Sequence, residues 1–308
     1  MADLLYHTFT FFALFSYGTY HLVLATRSFF KPTTSSSSSS RSAPAAAGDY
    51  TAHPYYPLPC SPQRHHVLRH LPLYLSVLSL LISIIHHALS SVAANRFFSL
   101  QYAVSLLFFL LLAASLFLPI PLPPDLVFLL SAVAFALLSS ISSAYQPSDL
   151  QSKCESVSSV ISAACAAFSL ALAVCPRLFL AELALASSIS LQGLWALQTC
   201  LSLYVEGFIP QGCHRLLDVA IESTRCEIEE SRIRAAALLD LAFMLHTTFI
   251  AVITVAVYAY VAWVCGGCHT RRYGVGAYEA LPTSSSSGGL ADLDHVQMKT
   301  IIKNSMQA

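Results

Sequence analysis

The sequence predicts an all-α membrane protein, a single bundle of seven transmembrane helices, and three observations carry that prediction. Of the 308 residues, 56% are hydrophobic and only 10% are Asp, Glu, Lys or Arg, against roughly 25% charged residues in an ordinary soluble domain. The mean hydropathy is +0.63. Seven mostly apolar runs reach about the 20 residues that a helix needs to cross the hydrocarbon core. A soluble globule would need a polar shell that this composition does not supply. The length and apolar content also exclude a disordered chain and a disulfide-stapled miniprotein, and the formal net charge of zero excludes a basic nucleic-acid binder. The lipid bilayer is the partner that composition names, and nucleic acid is not one.

The first run spans Leu4 to Ala25. It has no basic segment ahead of it and no evident cleavage site, so it reads as a retained helix. The stretch 26–70 follows, with the run Ser35 to Ser40 and Pro54, Pro57, Pro59 and Pro62, and reads as a flexible loop with no core of its own. The second helix is expected from Leu71 to Ala94 and the third from Phe97 to Leu118, ending at a string with prolines at 119, 121, 123 and 124 that cannot continue a helix. The fourth is expected from Asp125 to Ala144. The fifth, Glu155 to Val174, is rich in Ser and Ala, which suits a helix packed among others. Pro176 and Arg177 separate it from the sixth, Leu178 to Tyr204. After a charged loop at 205–233, the seventh runs from Arg234 to Val264, longer than one span requires, so its first turns should tilt or protrude. The transmembrane domain thus occupies 1–264, and 265–308 reads as a disordered cytosolic tail.

Lys and Arg set the expected orientation. Ten of them (Arg27, Lys31, Arg41, Arg64, Arg69, Arg177, Arg271, Arg272, Lys299 and Lys303) fall on the side of the first loop and the tail, and six on the other. The positive-inside rule then places the N-terminus in the lumen or outside, the 205–233 loop in the lumen, and the tail in the cytosol.

Polar groups inside a span are expensive, so each is a candidate for function. His7 and His21 share a helix face but lie about 21 Å apart along the axis, too far to ligate one ion. His246 reads as a neutral imidazole held by Thr247 or a backbone carbonyl. Asp240 lies about two turns into the last helix, where a carboxylate must find a cation, a hydrogen-bond network or a proton. Glu182, just past Arg177, reads as paired or snorkelling at the interface. Ser188, Gln192, Trp195 and Thr199 form a polar stripe, with Gln198 nearby, while Ala186, Ser190 and Gly193 form a small-residue seam that lets helices approach closely. The stripe reads as packing glue or, alternatively, as the lining of a ligand pocket.

The stretch Ser190-Leu191-Gln192-Gly193-Leu194-Trp195-Ala196-Leu197-Gln198 belongs with Phe208-Ile209-Pro210-Gln211-Gly212-Cys213, Cys226 and Arg234-Ala235-Ala236-Ala237-Leu238-Leu239-Asp240-Leu241-Ala242-Phe243. Together with His7 and Gly18-Thr19-Tyr20-His21-Leu22, they resemble the signature of the transmembrane protein 45 family, whose plant branch was long catalogued as a domain of unknown function. The resemblance implies a multi-pass protein of endomembranes (Golgi or ER) or the plasma membrane, and it supplies no catalytic residues. The family's histidine pair near the end of the fourth helix is replaced here by Ser140-Ile141-Ser142-Ser143-Ala144-Tyr145-Gln146 and Lys153-Cys154-Glu155, and a histidine opening the third helix by Leu100-Gln101-Tyr102. Any metal site or proton path built on those histidines is mostly lost.

The nine cysteines do not form paired C-x-x-C motifs of a structural zinc site. Cys213 and Cys226 bracket the loop assigned to the lumen, where oxidising conditions would allow a disulfide. Cys265 and Cys268 at the membrane edge are candidates for S-palmitoylation. No phosphate loop, nucleophile elbow or helical zinc motif is present in the sequence. The expectation is a non-enzymatic scaffold or interaction partner of other membrane proteins, with no catalytic residues, metal or cofactor. The alternatives are a transporter or channel for a small solute or proton, using Asp240, Gln192 and Gln198, and an intramembrane hydrolase using His, Asp and a metal.

Overall fold

Where the apolar runs lie, helices form. The computed structural model describes residues 2–30, 50–58, 69–89, 96–117, 122–144, 149–216 and 223–266. Among these are seven α-helices: α1 (Ala2–Phe30), α2 (Leu71–Leu89), α3 (Arg96–Ser115), α4 (Pro124–Ala144), α5 (Asp149–Val174), α6 (Phe179–Tyr204) and α7 (Glu229–Gly266). Six of them, α2 to α7, are long and apolar enough to cross a membrane. The helix α1 is 29 residues long, but Tyr6, His7, Thr8, Thr10, Ser16, Thr19 and His21 dilute its apolar run.

Several helices start earlier than an apolar-run search places them. Pro124 opens α4, where a missing N–H costs nothing, and Asp125 complements the helix dipole. The helix α5 begins at Asp149 rather than Glu155, because its first turns are polar but helix-compatible. The helix α7 begins at Glu229, five residues before the expected Arg234, with Arg232 reaching Glu229 and Arg234 reaching Glu230 along its exposed face. Its 38 residues amount to about 57 Å at about 1.5 Å per residue, nearly twice the roughly 30 Å hydrocarbon core.

The tightest seam joins α1 to α6. A Cβ on Gly193 would lie 2.7 Å from the Phe15 backbone nitrogen, and one on Gly18 would lie 2.8 Å from the Ala186 carbonyl oxygen. Only glycine allows the two backbones to meet at both points. Ser139 and Ser159 link α4 to α5 reciprocally, each hydroxyl donating to the other residue's carbonyl at 3.0 and 2.9 Å. The Ser187 and Thr254 hydroxyls join α6 to α7 at 2.8 Å. One core cluster gathers Leu150, Cys154, Val157, Ile161, Trp195, Leu203, Ala235 and Leu239 from α5, α6 and α7. A second, towards the opposite ends of the helices, gathers Phe128, Cys165, Leu172 and Leu185 around Ala52.

Ala52 overturns part of the loop expectation for 26–70. The helix α1 continues to Phe30, and Ala52 is 0% exposed, its amide donating to the Pro176 carbonyl at 2.7 Å. Residues 50–58 therefore form a strap packed into the bundle, while 31–49 and 59–68 lie outside the described residues. The loop 205–233 is also more ordered than a charged linker: it holds a short 3-10 turn (Glu206–Phe208) and an antiparallel hairpin of β1 (Cys213–Leu216) and β2 (Ser223–Cys226). Cys213 and Cys226 face each other in register and form a disulfide. Gly212, at φ 83°, turns the chain into β1, and Thr224 donates to the Leu203 carbonyl, tying the hairpin to α6. The expected tail, apart from Cys265 and Gly266, lies outside the described residues, and Cys268 with it.

Candidate functional site

On α6, Glu182 falls in the first turn and points inward, 0% exposed. A carboxylate in that setting must be paired or hydrogen-bonded. Three donors converge on it. His21 of α1 donates from Nε2 to Oε1 at 3.0 Å, Tyr56 of the strap donates to the same oxygen at 2.9 Å, and Tyr50 donates to Oε2. His21 is itself buried, and its Nε2 is the donor because the carboxylate oxygen it meets can only accept. Tyr20 donates to the Tyr56 carbonyl at 2.9 Å, and Phe179 packs against Phe29 and Tyr50 with ring centroids 4.2 and 5.4 Å away. Burial first, and then the Glu182 charge, hold both strap phenols well above their ordinary pKa of 10.0. The phenols thus remain donors, and the carboxylate serves as the anchor of the strap.

A second polar cluster occupies the opposite end of the bundle and draws on five helices. His86 of α2 stacks on Tyr6 of α1 at 4.1 Å, and its Nε2 lies 3.4 Å from Asp3 Oδ1. The Tyr6 hydroxyl bonds His87 Nε2 at 3.1 Å, and His87 stacks on Tyr102 of α3 at 5.2 Å. Tyr102 donates to Glu155 Oε2 of α5 at 2.8 Å and also meets the Ser142 hydroxyl of α4. Tyr102, in the second turn of α3, and Glu155, in the second turn of α5, thus close the cluster. Among the described residues, no group of three or more His, Cys, Asp or Glu could hold a metal ion.

The residues singled out from the sequence are distributed unevenly over these clusters. His21 belongs to the Glu182 cluster, while His7 lies near the other end, 5.8 Å from the Tyr204 ring. Gln192 donates to Ser158 at 2.6 Å, and Trp195, 1% exposed, donates to the Cys154 carbonyl at 2.9 Å, so both dock α6 on α5. Gln198 donates to Ser202 on its own helix, and His246 Nδ1 donates to the Ala242 carbonyl at 2.6 Å. Asp240 is not an interior group: it is exposed and pairs with Lys153 at 2.7 Å. Lys153, the fifth residue of α5, supplies the cation that a carboxylate in this helix needs. Cys265 is partly buried and carries a free thiol. Missed from the sequence were Glu155, Tyr102, Tyr50 and Tyr56. The only hint was three tyrosines, at 50, 55 and 56, within an otherwise low-complexity loop.

A family match bears on the second half of the molecule. Residues 124–259 match a family of unknown function, DUF716. The match runs from the first residue of α4 into α7, and so takes in Glu155, Glu182, Gln192, Trp195 and the disulfide hairpin, but not His21 or the strap. No curated protein matches the chain. A family defined over several apolar helices fits a membrane protein and indicates no biochemical activity.

Proposed function

We propose that the chain is a seven-span, non-enzymatic membrane protein of the transmembrane protein 45 type that acts as a scaffold or interaction partner for other membrane proteins. The observation that carries this reading is that polar side chains within the bundle bond across helix boundaries, with only Ser105, Ser162, Ser169 and the Gln192 side-chain oxygen buried without a partner among the described residues. Gln192 with Ser158, Trp195 with Cys154, Ser139 with Ser159, Tyr102 with Glu155 and His21 with Glu182 all join different helices. Such bonds stabilise helix association in lipid. The helix α1 counts as the seventh span because its 29 residues reach about 43 Å at about 1.5 Å per residue, and its backbone lies directly on α6.

The hairpin supports an orientation with the N-terminus in the lumen or outside and the tail in the cytosol. Its disulfide sits at the C-terminal end of α6, the end that meets the start of α1, and disulfides persist in oxidising compartments. The same argument supports an endomembrane or plasma-membrane location.

Reconstitution into liposomes tests the scaffold reading. The purified protein should carry neither protons nor small solutes faster than protein-free vesicles. Flux abolished by Glu182→Gln or Glu155→Gln would replace the scaffold with a transporter, which the two inward-facing carboxylates would then serve. Stoichiometric zinc lost on His246→Ala would favour the hydrolase instead.

A further inference from the structure

On the flank of the bundle, the end of α1, the start of α6 and the last third of α7 leave a groove of about 510 Å³. That volume is within the roughly 300–1,000 Å³ of small-ligand sites. Phe29, Phe179 and Tyr258 wall it, and Leu183 and Val255 continue it along the helices. The aromatic walls are held against one another: Phe29 stacks on Phe179 at 4.2 Å, and Tyr258 lies 6.3 Å from Phe179. The Thr254 hydroxyl in the lining is already bonded to Ser187.

Besides the Tyr258 hydroxyl, the remaining polar group is Arg177, in the short turn between α5 and α6. It is exposed, and among the described residues no carboxylate pairs with it. The nearest acidic residue in the sequence, Glu182, is turned inward to His21 and the strap tyrosines. A single positive charge therefore stands at the head of an apolar slot that opens sideways, where a bilayer would place acyl chains. Water would gain little from the aromatic and aliphatic walls, and a peptide would bring a row of backbone polar groups to a surface that offers only Arg177 and the Tyr258 hydroxyl as partners. An amphiphile with an anionic head matches both ends of the groove. A guanidinium also favours phosphate, because it can present two parallel N–H donors.

We propose that this groove is a binding site for one anionic phospholipid of the surrounding leaflet. Its phosphate meets Arg177, and an acyl chain lies along Leu183 and Val255 between the aromatic walls. The inference uses the bilayer placement of the bundle but not the scaffold reading, and the flux assay above does not bear on it.

The test is native mass spectrometry of the full chain released from micelles doped with phosphatidylglycerol, phosphatidylserine or phosphatidylcholine. The expected result is one retained anionic lipid, in preference to phosphatidylcholine. Retention should fall roughly five- to tenfold in Arg177→Gln, the scale expected for one basic residue at a membrane surface. Val255→Trp fills the slot, keeps the charge and should abolish retention. Both positions are exposed, so each variant should melt with the wild type. Equal retention of all three lipids, or wild-type retention by Arg177→Gln, would overturn the proposal. Displacement of the lipid by millimolar inorganic phosphate would also overturn it, by reducing the site to an anion contact without an acyl groove.

Discussion

Glu182→Leu is the substitution that interrogates the structure most directly. It removes the acceptor from three donors at once: His21, Tyr56 and Tyr50. A buried donor left without a partner costs about 1–3 kcal/mol, and removing the acceptor shared by three such donors should cost about 3–5 kcal/mol in all. The tyrosines belong to the strap and can swing out to water, so their share is limited to the packing the strap then loses, and the total should stay near that second range. At about 2–4 °C per kcal/mol for a chain of this size, the midpoint of thermal unfolding in micelles should drop by roughly 6–20 °C. Glu182→Gln keeps one accepting oxygen and should lose less than half as much.

The same substitution makes a local prediction. Cys165 is 1% exposed and packs in the cluster that Ala52 closes. Loosening the strap should therefore bring Cys165 into reach of a maleimide, with the modified peptide assigned by mass spectrometry to distinguish it from the exposed Cys175. If Glu182→Leu melts within 2 °C of the wild type and Cys165 labels no faster, the carboxylate does not anchor the strap and the reasoning fails.

Three further outcomes are expected. Tyr50 and Tyr56 hold their protons more tightly when folded than the ordinary 10.0, so their stabilisation is complete below that pH and is lost as pH rises through the folded values. Raising the pH from about 9 to about 11 should lower the melting midpoint of the wild type more than that of the Tyr50→Phe, Tyr56→Phe double variant, and equal drops would dissociate the phenols from the effect. Gly193→Ala places a methyl against the α1 backbone and should destabilise by about 1–3 kcal/mol, measured as a lower midpoint, whereas an unchanged midpoint would mean that α1 and α6 do not touch as described. Asp240→Asn removes a partly exposed ion pair with Lys153 worth at most about 1 kcal/mol, and a larger loss in the same melt would place Asp240 back in the interior.

The apolar helices were legible because composition alone decides them, and the small-residue seam on α6 was legible because its spacing places Ala186, Ser190 and Gly193 on one face. The early starts of α5 and α7 were not, since a search for apolar runs is blind to a polar first turn. Glu182 was visible as a residue but read as an interface group near Arg177. Its donors come from residues 126 to 161 positions away, two of them in a loop dominated by Ser, Ala and Pro, and no local pattern announces such a convergence. Asp240 differs in the opposite direction: a lone carboxylate inside an apolar run looks turned into the bundle, and its cation, Lys153, lies on another helix that no local pattern connects to it.

The contact between α1 and α6 also sets an order of events during synthesis. His21 emerges 161 residues before the Glu182 that receives its hydrogen bond. At about 5–20 residues per second, the helix must wait roughly 8–32 s in the membrane with its imidazole, its hydroxyls and the bare backbone at Gly18 facing lipid or a temporary companion. Of the seven, α1 is thus made before the partner on which its backbone rests, and the one helix that composition does not mark as a span depends for that interval on whatever the insertion machinery can offer it.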